Sequence, residues 1–309
     1  MKLEPANQTR LFAHREQFDK LLNLYSEHKL PNKILFSGEK GIGKCTLAYH
    51  LVNYILSLNE ENSYDTDNLR INLENKSFKL VQNKSNPNFI LIDVSFDKKN
   101  IDIDQIRNLI ISLNKSSFNK KPRIVVIDNV ELLNINSVNA LLKILEEPND
   151  NINFILINNN RKILPTLKSR CLNFKIQLNF EQSINTINKI LDINICDLIN
   201  MDLINYYNTP GQLLNLMNLQ NQFDLNLKEM SLKDLIFFII KNKYYKKDLI
   251  INEIIYSLIE FYLRSNISVD DISLINIKEY FLKKINDTKR FNLDDESLLM
   301  EFEDKLLNG

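Results

Sequence analysis

One stretch constrains this chain more than any other: Gly38-Glu39-Lys40-Gly41-Ile42-Gly43-Lys44-Cys45-Thr46. A short apolar run at residues 34–36 precedes it, and helical spacing over residues 46–58 follows. Strand, glycine turn, helix is the setting in which a G-x-x-x-x-G-K-[ST] phosphate loop works. Its glycines let backbone N–H groups converge on phosphate at a helix N-terminus. Gly38, Gly41 and Gly43 occupy the glycine positions, and Lys44 would bring charge to the outer phosphates. The pattern breaks at its last position, where Cys45 replaces the hydroxyl residue that holds magnesium. Magnesium prefers hard oxygen ligands, and a thiol is a poor substitute. Thr46 does not take over simply, because one step along a helix turns a side chain by about 100°. A glycine turn that joins strand to helix without any ligand stays open as the plainer reading.

The rest of the first half continues this alternation. A helix is expected over residues 15–24, before the first strand. Residues 59–88 turn polar and Asn-rich, which predicts a long surface insertion or an irregular excursion. Buried strands are expected at 89–93, 123–128 and 153–157, with helices at 103–113 and 137–145 and a helix stop at Pro148. Short all-apolar strands alternating with helices imply a parallel sheet covered on both faces. The pattern ends near Phe174. Beyond it nearly everything has helical spacing, punctuated by Pro210-Gly211.

Composition narrows the function classes. Lysine plus arginine equal aspartate plus glutamate at 39 each, so no global positive field advertises nucleic-acid binding. The three cysteines, Cys45, Cys171 and Cys196, form neither a metal knuckle nor a disulfide framework, and the three histidines do not gather with them. No metal site is expected, and a reducing, cytoplasmic location is the simpler reading. The first ten residues lack an apolar core of signal-peptide length, and no apolar run approaches membrane-spanning length.

Two further elements carry chemistry. Asp128 ends the run Ile124-Val125-Val126-Ile127, where a strand-end carboxylate beside a phosphate loop can hold a magnesium-bound water. A glutamate that polarises the attacking water would follow directly. Asn129 stands there and is no general base, while Glu131 lies two residues further on. The second element is Leu164-Pro165-Thr166-Leu167-Lys168-Ser169-Arg170-Cys171, expected as a polar turn just after the sheet. Arg170 alone reads as a solvated residue. Arginine nevertheless suits phosphate, because its planar fork donates two hydrogen bonds and stays charged.

The run Asn134-x-x-x-x-Asn139-Ala140-Leu141-Leu142-Lys143-x-Leu145-Glu146-Glu147-Pro148, a strand, then Leu164-Pro165-Thr166-x-x-Ser169-Arg170-Cys171, resembles bacterial clamp-loader subunits of the AAA+ superfamily, and among them the delta-prime group of DNA polymerase III. Leu30-Pro31-Asn32-Lys33, Asn86-Pro87-Asn88 and Ile103-Asp104-Gln105-Ile106-Arg107 fall in the family's order. The resemblance is specific from about residue 4 to 171. It implies an AAA+ core (1–175), a helical lid (176–222) and an all-α collar (228–309) that joins subunits into a ring. It implies as partners gamma/tau and delta subunits, the sliding clamp and primer–template DNA, with no membrane. By the same resemblance Arg170 would act as an arginine finger on a neighbour's ATP, and Asn158 would hold the polar sensor position. ATP or ADP, with or without magnesium, is left open as a ligand of the degenerate loop.

Departures from the family pattern decide between its branches. The magnesium hydroxyl is lost at Cys45, the glutamate at Asn129, and the lid's nucleotide-sensing arginine at Leu214. Each loss removes a different contribution to hydrolysis. The expectation is therefore a stator without independent catalysis, any polymerase activity belonging to the assembly. An active gamma/tau-type ATPase is the alternative. A P-loop nucleotide kinase fits less well, since no arginine-rich substrate lid accompanies the loop.

Overall fold

The computed structural model describes residues 3–95, 98–115, 121–147, 151–265, 272–291 and 293–307. The expected helix stop at Pro148 lies outside them. The chain divides into two compact units, Met1–Thr186 and Ile187–Gly309.

The first unit is built on five parallel strands: β1 (Lys33–Ser37), β2 (Phe89–Ile92), β3 (Arg123–Ile127), β4 (Ile152–Asn158) and β5 (Leu172–Lys175). Their order across the sheet is β2-β3-β4-β1-β5. Helices α1 (Arg15–Ser26), α2 (Lys44–Ser57) and α3 (Lys76–Gln82) accompany one apolar cluster, and α4 (Ile103–Leu113) and α5 (Ile135–Glu146) the other. Alternation along the strands divides the clusters. Ile34, Phe36, Ile124, Val126, Ile155 and Ile157 enter the first, whereas Leu35, Val125, Ile127, Phe154 and Leu156 enter the second. Both faces are buried, which is why the strands read as unbroken apolar runs. Local signals start the helices: Asp102 and Gln105 form a capping box on α4, and Asn134 accepts from the Ser137 amide on α5.

Two expectations change. Residues 59–88 are an irregular excursion holding only the short helix α3 rather than a surface insertion, because Tyr64, Leu69, Ile71, Phe78 and Val81 lie in the core. Asn75 caps α3 and is itself bonded to Asn53 and to the Asn62 carbonyl, so the polar stretch is held by buried amides. The sheet also does not end before Arg170. A short helix, α6 (Pro165–Lys168), and the Arg170 turn lead into β5, which pairs with β1. Its half-exposed edge position denied β5 the apolar run that marks the other strands.

The boundary between the units falls within α7 (Phe180–Leu191). The second unit then holds α8 (Ile195–Leu198), α9 (Pro210–Phe223), α10 (Leu232–Lys241), α11 (Leu249–Ser265), α12 (Ile272–Phe291) and α13 (Asp295–Phe302). Leu235, Ile236, Ile255, Ile259, Phe281 and Phe302 are among its buried residues. Lys243 and Lys246 both pair with Glu296, while Lys241 lies over Phe237 and Lys247 over Tyr244. Among the described residues no helix is long and apolar enough to cross a membrane.

Candidate functional site

Parallel strands deliver their carboxyl ends to one edge of the sheet, where open α/β folds bind ligands. There the loop at 38–46 leaves β1, Asp93 follows β2, Asp128 follows β3, and Asn158 and Asn159 close β4. Gly41 and Gly43 have φ of +87° and +94°, backbone that favours glycine. Gly38 is needed for a different reason. A Cβ there would meet the Ile176 carbonyl oxygen at 2.1 Å, as the chain leaving β5 passes against the loop.

The loop is closed by its own lysine. Lys44 is 3% exposed, and its Nζ donates to the carbonyls of Gly38 (2.9 Å) and Glu39 (2.6 Å) and to Asn159 Oδ1 (2.9 Å). These bonds use all three protons of an ammonium group. Burial pulls its pKa down to about 8, opposed by the nearby Asp128, Glu131 and Glu39 carboxylates. The lysine is therefore still charged at neutral pH.

Asn159 continues the network. Its Nδ2 donates to Glu131 Oε1 (2.9 Å) and Asn129 Oδ1 (2.7 Å), and Asn129 Nδ2 donates to Asp93 Oδ1 (2.8 Å). Glu131 also accepts from the Asn159 amide (3.3 Å), so both of its oxygens are engaged. Asn129 adopts φ +56°, a left-handed conformation that Asn tolerates better than Glu. The candidate base position is thus held by an amide that bridges two neighbours.

The magnesium pair is altered as well. The Cys45 thiol and the Asp128 carboxylate stand at the hydroxyl and strand-end positions of the motif, close enough to shift each other's pKa. Burial and the facing carboxylate push the thiol pKa well up, so no thiolate forms near neutrality. Burial and Asp93 raise the pKa of Asp128 as well. The donor set does not fit magnesium: a protonated thiol stands where the motif has a hydroxyl oxygen. Thr46 sits half-buried in the first turn of α2, one residue further round. The first amides of α2 have no intrahelical partner and still form an anion cradle.

Two residues behave differently from the motif reading. Asn158 does not join the lysine: its side chain bonds the Arg161 amide (3.2 Å) and carbonyl (3.0 Å) and closes the turn after β4. Asn159 meets Lys44 instead. Successive side chains leave a strand on opposite sides, so one of this pair had to face the loop, and the sequence did not say which. His14, which carried no motif, donates Nε2–H to the Ile42 carbonyl (2.6 Å) and braces the loop beside Gly43. Burial lowers its pKa, and the ring is neutral.

Arg170 lies at the surface, 31% exposed. Its Nη1 donates to the Thr166 carbonyl (2.7 Å), and its Nη2 pairs with the Glu146 carboxylate.

The family model described as DNA polymerase III, delta subunit, matches residues 13–179, more than half of the 309. The chain belongs to the DNA polymerase III delta-subunit family. The kinship with delta-prime subunits expected from the motifs is borne out. DNA polymerase III subunit delta' of Buchnera aphidicola subsp. Schizaphis graminum is 31% identical over 168 residues, covering 53% of this chain and 48% of that one. The gamma subunit of Buchnera aphidicola subsp. Acyrthosiphon pisum is 34% identical over 151 residues, covering 48% and 39%. The chain thus spans half or less of the length of these relatives. A DNA polymerase III gamma subunit-related protein of Thermotoga maritima shares the fold, with a TM-score of 0.54 at 17% identity, over 94% of this chain and 99% of that one.

Proposed function

We propose that this family member is a delta-prime-like stator of the DNA polymerase III clamp loader, helping to load the sliding clamp onto primed DNA. The observation that carries the reading is the closure of the chain's own phosphate loop, in which Lys44 Nζ is bonded to the Gly38 and Glu39 carbonyls and to Asn159. With Cys45 at the hydroxyl position, Asn129 at the base position and Glu131 tied to Asn159, hydrolysis at this loop lacks both a metal ligand and its base. The chemistry assigned to the chain is then Arg170, supplied as a finger to the ATP of an adjacent gamma/tau subunit. Residues 176–222 act as the lid and 228–309 as the collar through which it joins gamma/tau and delta, with clamp and primer–template DNA as partners of the assembly. Replication places this work in the cytoplasm.

A gamma-type motor is favoured by one observation, the 34% identity to a gamma subunit. One experiment separates the two. In the reconstituted loader, Arg170→Ala should lower ATP turnover at the site it serves by a factor of about ten or more. Asp128→Asn, which keeps the shape of the loop, should leave turnover unchanged. Loss of turnover in Asp128→Asn, with none in Arg170→Ala, would establish the motor instead.

A further inference from the structure

We infer that Glu146 is a positioning residue that parks Arg170 on its own subunit and releases it when a neighbour's phosphate competes. The inference rests on the reading of Arg170 as a finger and extends it to how the finger is kept before use.

Glu146 is the last residue of α5, and Arg170 lies in the turn between α6 and β5, 24 positions away in sequence. The guanidinium is held from two sides. Nη2 pairs with the Glu146 carboxylate, and Nη1 donates back to the Thr166 carbonyl of α6. Both partners belong to the same unit, so the fork faces its own chain. Its preferred ligands, carboxylate and phosphate, have matching oxygen geometry and compete for the same donors. Glu146 is 56% exposed, so the pair sits in high dielectric, where ion pairs are weak and screened by salt. That weakness suits the role. A buried partner would hold the arginine against any competitor, whereas this one yields to a phosphate that offers more charge. Lys143, one turn earlier on α5, is the nearest cation along that helix.

A parked finger imposes a conformational tax: apparent affinity for ATP at the shared site falls by the fraction of time that Arg170 is free. Removing the charge of Glu146 lifts that tax without touching the reacting atoms. For an exposed pair the expected change is about two- to fivefold.

Two measurements test this separately from the stator reading. On the isolated chain, phenylglyoxal modification at Arg170, followed by peptide mass mapping, should run about two- to fivefold faster in Glu146→Gln than in wild type at low salt. The difference should shrink as salt rises. Equal rates at low salt would overturn the parking. In the reconstituted loader, Glu146→Gln should lower the KM for ATP by the same factor with kcat unchanged, and should do nothing in an Arg170→Ala background. A fall in kcat resembling that of Arg170→Ala would mean that Glu146 aims the arginine rather than withdrawing it, and would also overturn the inference. If Arg170→Ala leaves turnover intact, the finger reading fails, while the modification rates still decide whether Glu146 parks the side chain.

Discussion

The phosphate loop and the Arg170 turn sit in the same α/β unit and are built on opposite principles. At the loop, Lys44, Asn129 and Asn159 are bonded in one network beside Cys45 and Asp128, and the lysine is almost wholly buried. At the turn, a charged fork rests at the surface on a half-exposed carboxylate. The first arrangement has turned inward and become part of the fold. The second lies at the surface, bonded only to the Thr166 carbonyl and the Glu146 carboxylate. Substitutions at the loop should therefore be read mainly in stability, and substitutions at the turn mainly in the activity of a partner.

The largest effect is expected at Gly38. Gly38→Ala sets a methyl group 2.1 Å from the Ile176 carbonyl oxygen, and neither is a flexible side-chain end. A loss of about 4 kcal/mol in denaturant unfolding is expected, from the overpacking of backbone against backbone. A loss below about 1 kcal/mol would show that the chain leaving β5 can move away from the loop.

Next comes the acid side of stability. Burial holds His50, on the helix that follows the loop, near a pKa of about 4, against 6.5 for the free side chain. Its depressed value means the unfolded chain binds the proton first. Stability contributed by neutral His50 is complete above pH 6.5 and is lost as pH falls from there toward 4. The loss amounts to about 3 kcal/mol. His50→Gln should flatten that part of the pH profile, and an unchanged slope would move the acid sensitivity elsewhere.

Restoring a glutamate to the loop should come third. Asn129→Glu faces a carboxylate toward Asp93, removes the bond to Asn159, and forces Glu into a left-handed backbone. About 2 kcal/mol of stability should be lost, with no ATP hydrolysis gained even alongside Cys45→Thr. Hydrolysis by that double variant would break the comparison outright. The smallest effect on stability belongs to the turn. Arg170→Ala should change unfolding by less than about 1 kcal/mol, since it deletes one surface pair, even though the proposed finger role predicts a fall of turnover in the loader.

Much of this was legible in the residues. The strands at 34–36, 123–128 and 153–157 announced themselves because both sheet faces are buried, leaving no polar alternation to confuse them. The departures at Cys45 and Asn129 were visible because the motif fixes the residue type expected at each place. The burial within residues 59–88 was not legible. Tyr64, Leu69, Ile71, Phe78 and Val81 are spaced without period and surrounded by Asn, and only packing into one cluster with residues of α1 and α2 makes them core. β5 was hidden for the opposite reason: an edge strand needs little apolar surface to pair.

By itself, then, the sequence determined that a strand, a glycine turn and a helix would form a phosphate-loop unit in a parallel sheet, and that its last hydroxyl was missing. Those are local matters of periodicity, glycine and side-chain type. Only the tertiary structure decided where the freed groups went. Lys44 turned back onto the Gly38 and Glu39 carbonyls, the Cys45 thiol came to lie beside Asp128, and Asn159 rather than Asn158 reached the lysine. Asn159 lies 115 positions from Lys44, and the two meet because the buried polar groups at that edge must bond to each other.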